Sequence, residues 1–164
     1  MKHIYLDHAA ATPMRKEVLQ AMLPYFSQGY GNPSSIHALG EKARIALEEA
    51  RETVRVLLHA SVGDTIIFTS GGTESVNLAI QGIVRASGKR SIIISSIEHE
   101  AVLAACRALE KESCQVTSVP VDNQGVVDLH FVKKTVTKHT ALVSVMYANN
   151  EVGTIQPISH IAKI

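Results

Sequence analysis

The sequence predicts an α/β fold: a mainly parallel sheet with flanking helices. Two observations carry that reading. First, four short runs are almost wholly apolar or β-branched: Thr65-Ile66-Ile67-Phe68, Ser91-Ile92-Ile93-Ile94, Gln115-Val116-Thr117-Ser118-Val119 and Ala141-Leu142-Val143-Ser144-Val145-Met146. Strands look like this when both faces are buried, as they are in parallel sheets. Second, the segments between these runs place apolar residues three and four apart, the spacing of a helix with one buried face. Strand–helix–strand order then calls for right-handed crossovers between parallel neighbours.

Taken in order, Met14 to Phe26 is predicted as a helix, with Pro24 marking its frayed end because proline has no N–H to donate. From Glu41 to Leu58, the residues Ala43, Leu47, Ala50, Val54 and Leu57 form one apolar stripe. Thr73 to about Ala86 reads as a helix with Thr73 or Ser75 as its cap. Another begins near His99 and carries Val102, Leu103, Cys106 and Leu109 on one side. Asp122-Asn123-Gln124-Gly125 is a turn by composition, and a short helix follows from Asp128. Residues 157–164 open a helix that is not finished, which points to truncation. Residues 1–60 therefore read as an N-terminal arm with helices, and residues 61–164 as part of an α/β domain.

At 164 residues and 46% hydrophobic content, the chain can bury a core, and 19% charged residues argue against disorder. Sixteen basic and fifteen acidic residues give a net charge of +1, without the clustered basic face that a nucleic-acid surface needs. No apolar run approaches the ~20 residues of a membrane span. The first residues meet a charge too early for a signal-peptide core, so a cytoplasmic setting is expected. Two cysteines are too few for a disulfide framework. Cys106 falls on an apolar stripe and reads as a small buried hydrophobe. Cys114 has no activating neighbour in sequence.

Ligands bind open α/β sheets at the carboxyl ends of the strands, so the loops there are the candidate sites. After Phe68, Gly71 and Gly72 allow a sharp turn and close approach, and the following helix start suits a phosphate. The Thr73 hydroxyl adds a donor; a capped turn without ligand fits the same residues. After Ile94, His99 stands at the next strand end, where an imidazole can stack on a flat ring, move protons, or simply cap a helix. After Met146, the pair Asn149-Asn150 beside Glu151 serves either a ligand or the turn itself. Three successive loops thus carry polar groups at one predicted sheet edge.

Five segments in order carry a resemblance: residues 5–13 (YLDHAAATP), 31–37 (GNPSSIH), 68–75 (FTSGGTES), 97–99 (IEH) and 149–153 (NNEVG). Together they resemble the cysteine desulfurases of the NifS/IscS type, within the class V aminotransferase-like pyridoxal-phosphate enzymes. The resemblance implies a fold type I enzyme, here an arm plus a truncated large domain. It implies conversion of L-cysteine to L-alanine, with the sulfur held as an enzyme persulfide for iron–sulfur or thio-cofactor assembly. It implies Gly72 and Thr73 at the cofactor phosphate, His99 on the pyridine ring with a catalytic proton role, and Asn150 at the phenolic oxygen. Residues 9–12 and 32–37 resemble segments near the substrate pocket. Homodimerisation is implied as well, with a sulfur-acceptor or scaffold protein as partner.

The family's cofactor lysine lies in a Ser-x-His-Lys motif, which this chain lacks. By the resemblance, the aspartate, arginine and loop cysteine also fall beyond Ile164. The chain alone is therefore predicted to be inactive. A selenocysteine lyase, or a naturally short partner of a full-length desulfurase, fits the same residues. A sheet cut partway should also expose apolar surface and self-associate.

Overall fold

Three of the four predicted runs pair into a parallel sheet in a computed structural model that describes residues 4–164. The first three residues of the predicted arm lie outside the described residues. The strands are β1 (Ser91–Ser95), β2 (Gln115–Val119) and β3 (Thr140–Ser144), in the order β2-β1-β3. β1 is central. Ile93 faces Thr117 on one side and Val143 on the other. Its run from Ile92 to Ser95 is fully buried, which explains its continuous apolar sequence. The β1–β3 register slips by one residue between Ser91 and Ile92.

The fourth run, Thr65 to Phe68, does not form a strand. A β-branched run favours extended backbone, yet a strand also needs a neighbour to satisfy its N–H and C=O groups. Here the Ile66 carbonyl instead accepts from the Arg51 guanidinium at 2.5 Å, and Arg51 lies 5.3 Å from the Phe68 ring centroid.

The chain divides into two compact units, Met1–Phe68 and Thr69–Ile164. In the first, α1 (Lys16–Ser27) continues three residues past Pro24, where the sequence predicts fraying. Proline's fixed φ suits a helix, so the turn survives one missing N–H, and the Pro24 carbonyl accepts from both Gln28 and Gly29. Val18, Leu19, Leu23 and Phe26 of α1 are exposed. Helix α2 (Ala38–Leu57) starts at His37, whose Nδ1 accepts from the Gly40 amide at 3.3 Å. Segment 31–40 folds tightly onto that start. A Cβ at Gly40 would stand 2.3 Å from the Ser35 carbonyl oxygen, so only glycine fits.

The second unit holds the sheet and its helices: α3 (Gly72–Ser87), α4 (Glu100–Lys111), α5 (Leu129–Thr135) and α6 (Ile158–Ile161). One sheet face packs Ile92 and Ile94 against Ile80 and Val84 of α3 and Val102, Ala105, Cys106 and Leu109 of α4. The opposite face packs Ile93 and Val119 against Val127 and Val132, with Phe131 and Ile161 alongside. The result is a helix–sheet–helix sandwich, the α/β architecture that the strand runs predicted. The predicted turn at Asp122 to Gly125 forms, with Gly125 at φ +79 and Asp122 Oδ1 accepting from the Gln124 and Val126 amides. Among the described residues, no helix is long and apolar enough to cross a membrane.

Candidate functional site

At the carboxyl end of β1 the chain turns through residues 96–98 and enters α4 at His99. The His99 ring caps that helix, its Nδ1 accepting from the Ala101 amide at 3.1 Å. An accepting Nδ1 carries no hydrogen, so the hydrogen of the neutral ring sits on Nε2. The ring is exposed. Capping and availability therefore coexist at this residue, the first occupying one nitrogen and leaving the other.

Beyond β3 the chain forms a hairpin. Ala148 bridges Ile155, the Asn149 amide donates to the Thr154 carbonyl, and Gly153 takes a left-handed φ of +75. The two asparagines divide the work. Asn149 builds the turn: its Oδ1 accepts from the Glu151 and Val152 amides at 2.9 and 3.0 Å. Its Nδ2 donates across to the Ile97 carbonyl at 3.1 Å. Asn150 is exposed, and among the described residues its side chain bonds only the neighbouring Glu151 carboxylate. Asn149 is thus committed to the turn, while the Asn150 side chain stays at the surface.

His99 and Asn150 line one open hollow of about 420 Å³, with Glu98 and Asn149 in its wall. Gly72 and Thr73 do not line it. Those two begin α3, and the predicted caps Thr73 and Ser75 do not cap it: the N-cap is Gly71, with no side-chain cap bond. The loop is braced from further along the helix. Glu74 Oε2 accepts from the Ser70 amide and hydroxyl at 2.7 and 2.6 Å, a variant of the reach-back that closes many helix starts. The Ser70 hydroxyl, then its backbone N–H, hold the Glu74 carboxyl below the usual carboxylate range. Among the described residues the Thr73 hydroxyl makes no hydrogen bond. A Cβ at Gly71 or Gly72 would meet nothing within 4 Å, so this helix start is open.

Two buried polar residues escape sequence reasoning. Glu98 is 8% exposed, and its Oε1 accepts from Ser95 Oγ at 2.5 Å and from the Met146 amide at 2.7 Å. Gln156 is 3% exposed and joins the hairpin to the 122–127 turn through the Val127 amide and the Gly125 carbonyl. Both cysteines are buried. Burial, then the charges of Glu110 and Glu98, push the Cys106 thiol up, as suits a small core residue. Among the described residues no group of three or more His, Cys, Asp or Glu side chains is placed to hold a metal.

The aminotransferase class-V family model matches residues 4–164. Cysteine desulfurase IscS of Dictyoglomus turgidum is 50% identical over 165 aligned positions, covering 99% of this chain and 42% of the relative. Cysteine desulfurase IscS 1 of Archaeoglobus fulgidus is 45% identical, covering 98% of this chain and 42% of its own. Among solved structures, a NifS-like protein superposes with a TM-score of 0.94 at 41% identity, covering 99% of this chain and 45% of that one. A structure of SspA in complex with cysteine superposes at 0.90 with 39% identity, covering 97% of this chain and 46% of that one. The chain thus spans less than half the length of these relatives.

Proposed function

We propose that this chain, which belongs to the aminotransferase class-V family, is the N-terminal portion of a pyridoxal-phosphate-dependent cysteine desulfurase. The observation that carries the reading is the shared hollow of His99 and Asn150 at the carboxyl end of a parallel sheet. Its support from relatives is that the curated matches named above are cysteine desulfurases. The whole protein takes L-cysteine to L-alanine and passes the sulfur, as an enzyme persulfide, to an acceptor or scaffold protein.

The residues present fit part of the cofactor. At the start of α3 the backbone is open, the first-turn N–H groups have no partner within the helix, and its dipole favours an anion. Gly72 and Thr73 would hold the phosphate there, with the Thr73 hydroxyl as a further donor. His99 offers a ring face and an Nε2–H for orienting the pyridine and moving a proton. Asn150 offers an amide donor to the phenolic oxygen. When bound, the cofactor supplies an electron sink next to the substrate's α-carbon. Covalent attachment needs a lysine outside the matched motifs, because no Ser-x-His-Lys occurs in these residues.

This chain by itself is accordingly inactive. The exposed apolar face of α1 supports self-association, and the whole protein acts as a homodimer. The test is alanine formation from L-cysteine, measured against free pyridoxal phosphate. The intact protein should exceed that control and the 164-residue chain should not. Alanine from the short chain, or none from the intact protein, overturns the proposal.

A further inference from the structure

The geometry points to Glu98 as the positioning residue that fixes His99 against the Asn149–Asn150 turn. Its consequence for cofactor binding rests on the function proposed above; the brace itself does not.

A buried glutamate is rare without a cationic partner, and among the described residues no lysine or arginine pairs with this one. What holds it is neutral: Ser95 Oγ at the end of β1 and the Met146 amide just past β3, both donating to the same Oε1. Among the described residues the other oxygen, Oε2, makes no hydrogen bond. No buried side-chain oxygen or nitrogen of the described residues lacks a partner, so Oε2 is not sealed from solvent; Glu98 also lines the hollow shared by His99 and Asn150.

A leucine would fill a core site without the cost of burying charge. The carboxylate instead joins the ends of two neighbouring strands at the point where each turns into a candidate site loop. Asn149 adds a second strap, from its amide to the Ile97 carbonyl at 3.1 Å. His99 follows Glu98 directly in the chain, so its backbone is fixed from the Glu98 side and from the α4 cap. The spacing between His99 and Asn150 is thereby set by Glu98 and Asn149, neither of which needs to touch a ligand.

Because both bonds use one oxygen, a glutamine amide oxygen can replace it, and an alanine cannot. Hydrogen exchange of backbone amides in the 164-residue chain separates the two. In Glu98→Ala, exchange at Met146, Glu151 and Val152 should rise roughly tenfold, the scale of a lost buried acceptor. Exchange at Ile92, Ile93 and Ile94 should stay as in the unsubstituted chain, which a general loss of stability would not allow. Glu98→Gln should restore protection. If Glu98→Ala does not fold, Ser95→Ala removes one donor and should give a smaller rise at the same amides.

Pyridoxal phosphate titrated into the intact protein should bind roughly tenfold more weakly in Glu98→Ala and normally in Glu98→Gln. Unchanged exchange in Glu98→Ala overturns the proposal, as does a glutamine variant that behaves like alanine. If the unsubstituted intact protein takes up no pyridoxal phosphate, the cofactor reading fails, and the exchange data still decide the brace.

Discussion

Replacing Asn149 with alanine should cost about 2 kcal/mol of stability, on typical net values for single hydrogen bonds. Three hydrogen bonds and one weak sulfur contact are lost. The Oδ1 bonds to the Glu151 and Val152 amides, at 2.9 and 3.0 Å, are exposed, so water replaces part of them, at about 0.5 kcal/mol each. The Nδ2 bond to the Ile97 carbonyl is half-buried at 3.1 Å, and leaving that carbonyl unpaired costs about 1 kcal/mol. The 3.4 Å contact to Met146 Sδ adds little. Asn149→Asp keeps the two turn bonds and removes only the cross-strand donor. It should therefore lose at least the Ile97 share, with a carboxylate oxygen now set against a carbonyl. Denaturant unfolding at constant m measures both losses. An alanine variant within about 0.5 kcal/mol of the unsubstituted chain would refute the assignment of Asn149 as builder of this turn.

Ile93→Ala removes a fully buried side chain at the centre of the sheet and should cost about 3 kcal/mol in the same assay; a loss below about 1 kcal/mol would mean the site collapses freely. For Glu74, the Ser70 donors depress the folded carboxyl value. Its contribution is complete above the ordinary glutamate range and disappears as pH falls through the lowered folded value. The Ser70 amide shift in an NMR pH titration should follow that lowered midpoint, and a midpoint at or above the ordinary value would contradict the brace. Cys106, with its thiol pushed up by burial, should resist a maleimide at neutral pH until denaturant is added, and label found on the Cys106 peptide of the native chain would place it outside the core.

The sheet was legible where burial is continuous in sequence. Ile92 to Ile94 face helices on both sides, so nothing polar interrupts the run. Thr65 to Phe68 shows the limit of that signal. Side-chain composition records a preference for extended backbone, but strand pairing depends on a neighbour that local sequence does not contain. The helices, the Asp122–Gly125 turn and the polar loops after β1 and β3 could all be read from spacing and turn chemistry, although the predicted α2 stripe leaves Leu47 and Leu57 exposed. Their division of labour could not. Asn149 and Asn150 are the same residue type side by side, and what separates them is that Asn149 closes the turn through the Glu151 and Val152 amides and reaches the Ile97 carbonyl, 52 positions away. Glu98 looks like an ordinary loop charge until the Met146 amide, 48 positions distant, places it in the core. Gln156 is the same case, with partners about thirty positions back. Long-range polar pairs leave no periodic trace, whereas apolar faces do.

The most direct measurement is the Kd of the intact apoprotein for pyridoxal phosphate with three substitutions made one at a time. Thr73→Val removes the open hydroxyl at the start of α3. His99→Asn keeps a helix-capping side chain but removes the ring. Asn150→Ala removes an exposed amide that the fold does not use. Each should weaken binding by roughly tenfold or more, the value of one hydrogen bond or stacking contact to a charged or aromatic ligand, while the cofactor-free protein unfolds at an unchanged temperature. Unaltered Kd values in all three variants would contradict the claim that these residues form the cofactor site.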